Sequence, residues 1–243
     1  MTSWTARPLL GLDTETTGID VDHDRVVTAA LVRRDAVGTR FRTWLIDPGV
    51  EIPEAASAIH GVSSAHARAH GVPPATGLEQ IAATLVDAVT HGAVVVAFNA
   101  SYDLAILDAE LHRHALPTLP ERLGTAVAPV LDPLVLDRML DPARPGPRRL
   151  VDLCAHYGVP TGTLHTADAD TIATLDVLGR LVEAFPDLAA RTAAEVHAQQ
   201  VDAVHAWREA YRRRKEAERL AQLTAAPADD DARLGAAVTA PNG

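Results

Sequence analysis

Among its 243 residues the chain has one cysteine, Cys154, one lysine, Lys215, and three each of Trp, Tyr and Phe. A single thiol excludes an internal disulfide framework and suits a reducing compartment. No apolar run approaches the ~20 residues that cross a bilayer, so no membrane association is expected. The opening MTSWTARPLL carries one basic residue and no apolar signal core, which sets a cytoplasmic expectation. Net positive charge is missing too: the formal charge is −10. That excludes a protein gripping nucleic acid through a broad basic surface, which needs many Lys and Arg against phosphates. It leaves open an enzyme whose positive charge comes from bound metal. The near-absence of lysine beside many arginines reads as a composition bias.

What is present is ordinary for a globular chain, 47% hydrophobic and 22% charged. The run from Leu9 to Asp13, between Pro8 and Gly18, reads as a central strand. Valine- and threonine-rich stretches at 25–34 and 39–46 read as a hairpin turning through 35–38. A short helical turn is expected near 54–57, followed by the loop-like AIHGVS. Residues 77–91 place Leu78, Ile81, Ala82, Leu85, Val86 and Val89 at helical period. AVVVAF at 93–98 is a compact buried strand with a helix directly after it. A further short strand and helix fit APVLDPLVL, an amphipathic helix fits RLVDLCAHYGV, and a longer helix follows from 167 to Pro186. Strands in hairpin order, then strands alternating with helices, imply an α/β fold: a mixed sheet with helices on both faces. The expected organisation is one domain over 1–188, a helical extension over 189–223 with Val204, Trp207 and Tyr211 on one face, and a disordered tail over 224–243.

Three acidic segments stand at predicted strand ends or helix starts. In LLGLDTETTGID, alternation puts Asp13 and Glu15 on one face of the strand. Like charges so placed repel, and divalent metal is the usual compensation; a solvated turn is the ordinary alternative. NASYD at 99–103 follows the buried strand, where ligands sit in α/β sheets, although Asp103 in a first helical turn is also explained by the helix dipole. HTADAD at 165–170 places His165 before or within the first turn of a helix, with Asp168 and Asp170 following. A histidine beside acids suits general-base work.

Together these segments resemble the DEDDh 3′–5′ exonucleases, the group that includes the proofreading subunit of bacterial DNA polymerase III, ribonuclease T and oligoribonuclease. Asp13–Gly18 is the family's DTETTG verbatim, Asn99 and Asp103 match its Asn-x-x-x-Asp, and His165, Ala167 and Asp170 match its His-x-Ala-x-x-Asp, which selects Asp170 over Asp168. The connector DPGVEIPEAASAIHGVS is also similar, including Ile59-His60-Gly61. Thr28-Ala29 departs from the glutamate common there, and Tyr102 stands where phenylalanine is usual. The resemblance covers about residues 8–185. It implies a ribonuclease H-like five-stranded sheet and two divalent cations, Mg²⁺ or Mn²⁺, held by Asp13, Glu15, Asp103 and Asp170. It further implies His165 as general base and contacts to the terminal nucleotide from Thr17, Ile19, Ile59, His60, Asn99 and Tyr102. The implied partner is the 3′ end of a single-stranded nucleic acid. DNA is slightly favoured, short RNA is the alternative substrate, and an inactive binding module is the third reading; a polymerase partner is not specified. The Arg208–Arg219 segment interleaves glutamates with arginines and reads as a solvated helix face.

Overall fold

The computed structural model describes residues 4–161 and 166–224, and the chain divides into two compact units after Val201. In the first unit a 3-10 turn, Trp4–Ala6, leads into β1 (Leu9–Thr16), β2 (Val26–Asp35) and β3 (Gly38–Leu45). Three helices follow, α1 (Glu54–His60), α2 (Ser64–His70) and α3 (Pro74–Thr90), then β4 (Val94–Val96) and α4 (Ala100–Arg113). The remainder is α5 (Leu119–Leu123), β5 (Val130–Leu131), α6 (Pro133–Leu140), α7 (Leu150–Tyr157), α8 (Ala167–Ala184), α9 (Asp187–Ala190) and α10 (Ala193–Thr224).

The five strands lie in the order β3-β2-β1-β4-β5. β1 is antiparallel to β2 and parallel to β4, and β4 is parallel to β5. This is the mixed sheet expected from the sequence. Strand alternation divides its residues between two cores. Leu10, Leu12, Leu31 and Val95 pack with Leu78, Ile81 and Leu85 of α3 and Ile106, Leu107 and Leu111 of α4. Val32, Val94 and Val96 pack on the other face with Leu136 of α6, Leu153 of α7, Leu175, Leu178 and Leu181 of α8, and Val196 of α10. β1 has partners on both sides and helices on both faces, so its end is held by the whole unit.

Two short helices, α2 and α5, were not signalled by periodicity. Each is marked instead by its start: Ser63 accepts from the His66 backbone N–H, and Thr118 with Glu121 forms a capping box. In the second unit, residues 202–224 complete α10. Arg213–Glu209, Arg214–Glu218 and Lys215–Glu218 pair along that helix, and Arg214 and Lys215 lie over the Tyr211 ring. Three of its basic side chains are thus engaged with neighbouring acids, as the interleaved sequence suggests.

Candidate active site

The carboxyl ends of β1 and β4 lie side by side at the point where the chain's connections diverge. From β1 it continues to β2 on one side, and from β4 to β5 on the other. Such switch points open a crevice beyond the strand ends. Alternation along β1 decides what enters it from each face. Thr14 falls on the same face as Leu10 and Leu12, toward α4, whereas Asp13 and Glu15 fall on the face of Gly11, toward α8.

Gly11 sets how near α8 can come. A Cβ at Gly11 would stand 2.3 Å from Cγ2 of Thr171 and 3.1 Å from Cδ1 of Leu175, so any larger residue pushes the helix away. Thr171 is fully buried, and its hydroxyl donates to the Ala167 carbonyl. The preceding residue, Asp170, is thereby brought to the strand. One carboxylate oxygen each from Asp13, Glu15 and Asp170 lies within 4.8 Å of the others. This is a hard, all-oxygen donor set of the kind that suits Mg²⁺ or Mn²⁺.

Asp103 arrives from the other face. It is buried in the first turn of α4, and its Oδ1 accepts from the Thr14 backbone N–H at 3.0 Å and from the Thr14 hydroxyl at 2.7 Å. Both bonds use the same oxygen, and neither uses Oδ2. Thr14 therefore orients Asp103 across the strand from the other three acids, and Asp103 contributes the largest charge effect on Asp13.

The electrostatics record the crowding. Asp13 is pushed well above the ordinary carboxylate range, first by burial and then by Asp103, Glu15 and Asp170. Glu15 is raised to about 7 by burial and by Asp170. Burial also raises Asp103, against the lowering effect of its bonds from Thr14. Four acids in this arrangement repel one another, and a divalent cation would relieve that repulsion. The donor chemistry and the spacing both fit such an ion.

The other expected residues are found in different states. The Thr17 hydroxyl donates to Asp24 at 2.7 Å and accepts from the Arg25 backbone N–H at 3.0 Å, which closes the turn after β1. Ile19 is 92% exposed and Ile59 is 60% exposed, so neither is a core residue. His60 is buried; its Nδ1 accepts from the Val62 backbone N–H at 3.2 Å while Nε2 has no hydrogen bond. Burial holds its imidazole below the ordinary pKa, against the opposing Thr16 backbone. Asn99 begins α4 with a left-handed backbone, φ 63°. The Tyr102 hydroxyl donates to the Gly18 carbonyl at 2.6 Å and meets the Thr16 hydroxyl at 2.8 Å, tying α4 to the end of β1. His165 lies outside the described residues.

Sequence reasoning passed over Gly11, Thr14 and Asp132. Glycine inside a strand does signal a close approach. Asp132 is a buried acid whose carboxylate accepts from the backbone N–H groups of Asn99, Ala100 and Leu134, and burial raises it to about 6. Its local signature, Asp before Pro133 at a helix start, describes only its bond to Leu134.

Comparisons with known proteins agree with this geometry. A family model described as exonuclease, of the RNase T type, matches residues 10–178. A DNA polymerase III subunit epsilon-like protein of Rhodobacter capsulatus is 32% identical over 181 residues, which cover 71% of this chain and 23% of that protein. A DNA polymerase III PolC-type of Lacticaseibacillus paracasei is 29% identical over 163 residues, covering 67% of this chain and 10% of that protein. The chain thus spans a quarter or less of these curated relatives. Among solved structures, E. coli exonuclease I in complex with a dA16 oligonucleotide shares the fold, with a TM-score of 0.63 at 20% identity, over 75% of this chain and 42% of that one. With the matched region running from β1 into α8 and enclosing all four acids, the chain belongs to the DEDDh-type exonuclease family.

Proposed function

We propose that the protein is a metal-dependent 3′–5′ exonuclease that removes nucleoside 5′-monophosphates from single-stranded 3′ ends, with DNA favoured over RNA. The observation that carries this reading is the meeting of Asp13, Glu15 and Asp170 within 4.8 Å at the end of the central strand, with Asp103 beside them. Two Mg²⁺ or Mn²⁺ ions held by these acids would supply charge neutralisation at the phosphate and lower the pKa of the attacking water.

The remaining chemistry belongs to the chain's own residues. Asp13 and Glu15 are fixed by β1, Asp170 by the seat of α8 on Gly11, and Asp103 by Thr14. His165, five residues before Asp170 in sequence, takes the proton from the attacking water. The new bond joins that oxygen to phosphorus, the bond to the 3′ oxygen of the penultimate nucleotide breaks, and that oxygen takes up a proton from solvent water. A nucleoside 5′-monophosphate leaves, and the shortened strand ends in a 3′ hydroxyl. Ile19 and Ile59 offer exposed apolar surface for the terminal base and sugar. Tyr102, Thr17, Asn99 and His60 shape the pocket wall around it. A site that holds one or two nucleotides needs little basic surface, which accommodates the −10 charge. The DNA preference is supported by the polymerase relatives and by the dA16-bound exonuclease I.

The test is mononucleotide release from 3′-labelled DNA and RNA oligomers of matched sequence, with Mg²⁺ or Mn²⁺. Asp13→Ala and His165→Ala should each abolish release, and DNA should be hydrolysed faster than RNA. Unchanged release by Asp13→Ala would overturn the assigned site, and faster RNA hydrolysis would reassign the substrate.

A further inference from the structure

The helix that carries Asp103 begins without a cap of its own: Asn99 makes no side-chain bond to the first turn of α4. The cap comes from 33 residues further along the chain. Asp132, 8% exposed and directly after β5, accepts from the Asn99 N–H at 3.1 Å through Oδ1 and from the Ala100 N–H at 3.0 Å through Oδ2. Oδ1 also accepts from the Leu134 N–H at 2.9 Å. A single carboxylate thus caps α4 and α6 together, at the end where both helices carry positive partial charge.

Asp132 is held in turn from α10. Gln200, 4% exposed, accepts from the Asp132 backbone N–H at 2.8 Å through Oε1 and donates to the Val130 carbonyl at 2.9 Å through Nε2. The Val130 carbonyl and the Asp132 N–H are the groups that a backbone peptide of a sixth strand would engage along the edge of β5. The Gln200 amide takes that peptide's place. His197, one turn earlier, also meets the Val130 carbonyl through Nδ1 at 3.0 Å.

We propose that Asp132 and Gln200 are positioning residues of the nuclease site: Gln200 fixes the backbone of Asp132, Asp132 fixes the start of α4, and α4 presents Asp103 to Thr14 and Asp13. This rests on the carboxylate set assigned under Proposed function. It makes the first turns of α10, up to Gln200, part of the catalytic apparatus rather than an appendage.

The experiment compares Asp132→Asn, Gln200→Ala and Val196→Ala in the full chain. It reads Mn²⁺ affinity by calorimetric titration, kcat and KM on a single-stranded oligonucleotide, and melting temperature. Val196 is equally buried on the same helix, contributes only apolar packing and touches neither Asp132 nor β5 through a hydrogen bond. Partners that orient metal ligands are typically worth about ten- to a hundredfold in metal affinity or activity. Asp132→Asn and Gln200→Ala should each weaken Mn²⁺ binding by about tenfold and lower kcat, with oligonucleotide KM within about twofold. Val196→Ala should lower the melting temperature at least as much as Gln200→Ala while Mn²⁺ affinity stays within about twofold of wild type. Mn²⁺ affinity unchanged in Asp132→Asn and Gln200→Ala, or lowered equally by Val196→Ala, overturns the proposal. Asp13→Ala separates the two levels. If it abolishes Mn²⁺ binding while the Asp132 and Gln200 variants bind normally, only the positioning role falls. If it leaves Mn²⁺ binding intact, the functional assignment falls with it.

Discussion

Glu15→Gln should make the metal-free protein more stable while abolishing its activity. In the folded chain the Glu15 carboxyl is raised from an ordinary 4.5 to about 7, by burial first and by Asp170 second. The folded state therefore binds this proton more tightly than the unfolded state. Below 4.5 both states are protonated and Glu15 costs nothing; between 4.5 and 7 the cost grows; above 7 it is complete. Stability from this group thus falls as pH rises through that window. The full gap corresponds to about 3 kcal/mol, and solvent screening at a half-buried group reduces it to ~1–2 kcal/mol. Glu15→Gln removes the charge at similar volume. In EDTA at pH 8 the variant should melt about 2–8 °C above wild type, given the enthalpy scale of a chain this size. The difference should shrink toward zero at pH 4.5. With Mn²⁺ the order reverses, since an ion at a hundred times its Kd stabilises wild type by ~2.7 kcal/mol and the variant lacks a ligand. Differential scanning fluorimetry at two pH values, with and without Mn²⁺, reads all of this. A variant that melts at or below wild type in EDTA at pH 8, or whose gain is the same at pH 4.5, would refute the claim that Glu15 is held against its electrostatic preference.

Gly11→Ala places a methyl 2.3 Å from Thr171 Cγ2, so α8 must retreat at a cost of about 1–3 kcal/mol. Mn²⁺ affinity should fall in calorimetric titrations because Asp170 moves with the helix, and adding Thr171→Ser, which deletes Cγ2 but keeps the hydroxyl, should restore it; no restoration would mean that the glycine acts in some other way. Thr14→Val keeps the backbone bond to Asp103 and deletes the 2.7 Å hydroxyl bond. Hydrogen bonds to charged groups are worth ~1.5–3 kcal/mol, so kcat should drop by about tenfold or more with Thr14→Ser near wild type, and a fully active Thr14→Val would show that Asp103 needs no orienting bond.

Much of the fold follows from periodicity because β1 keeps its pairing register with β2 from Leu9 to Glu15, and the register shifts only between Glu15 and Thr16. The alternation of Leu10 and Leu12 with Gly11 assigns β1's two faces, and the same count puts Asp13 and Glu15 together. Period alone also implies that Thr14 faces the opposite way, yet only the packing of α4 on that face reveals its use as the anchor of Asp103. The helices α2 and α5, of 7 and 5 residues, are too short to display a period and show only their caps. Asp132 was hidden for a different reason: its local role as a helix cap is complete in sequence terms, and its longer-range bonds to Asn99 and Ala100 depend on β4 and β5 lying side by side. Gln200 likewise carries no chemistry in its own segment. Its meaning comes from the edge of a two-residue strand that it closes.

The most direct test of the account is the product pattern from a 5′-labelled single-stranded DNA incubated with the full chain and Mn²⁺. Wild type should shorten the strand one nucleotide at a time from the 3′ end, giving a ladder that disappears with EDTA and with Glu15→Gln. Internal cuts, release of the 5′ label as a mononucleotide, or a ladder that persists in Glu15→Gln would contradict a 3′–5′ exonuclease built on this carboxylate cluster.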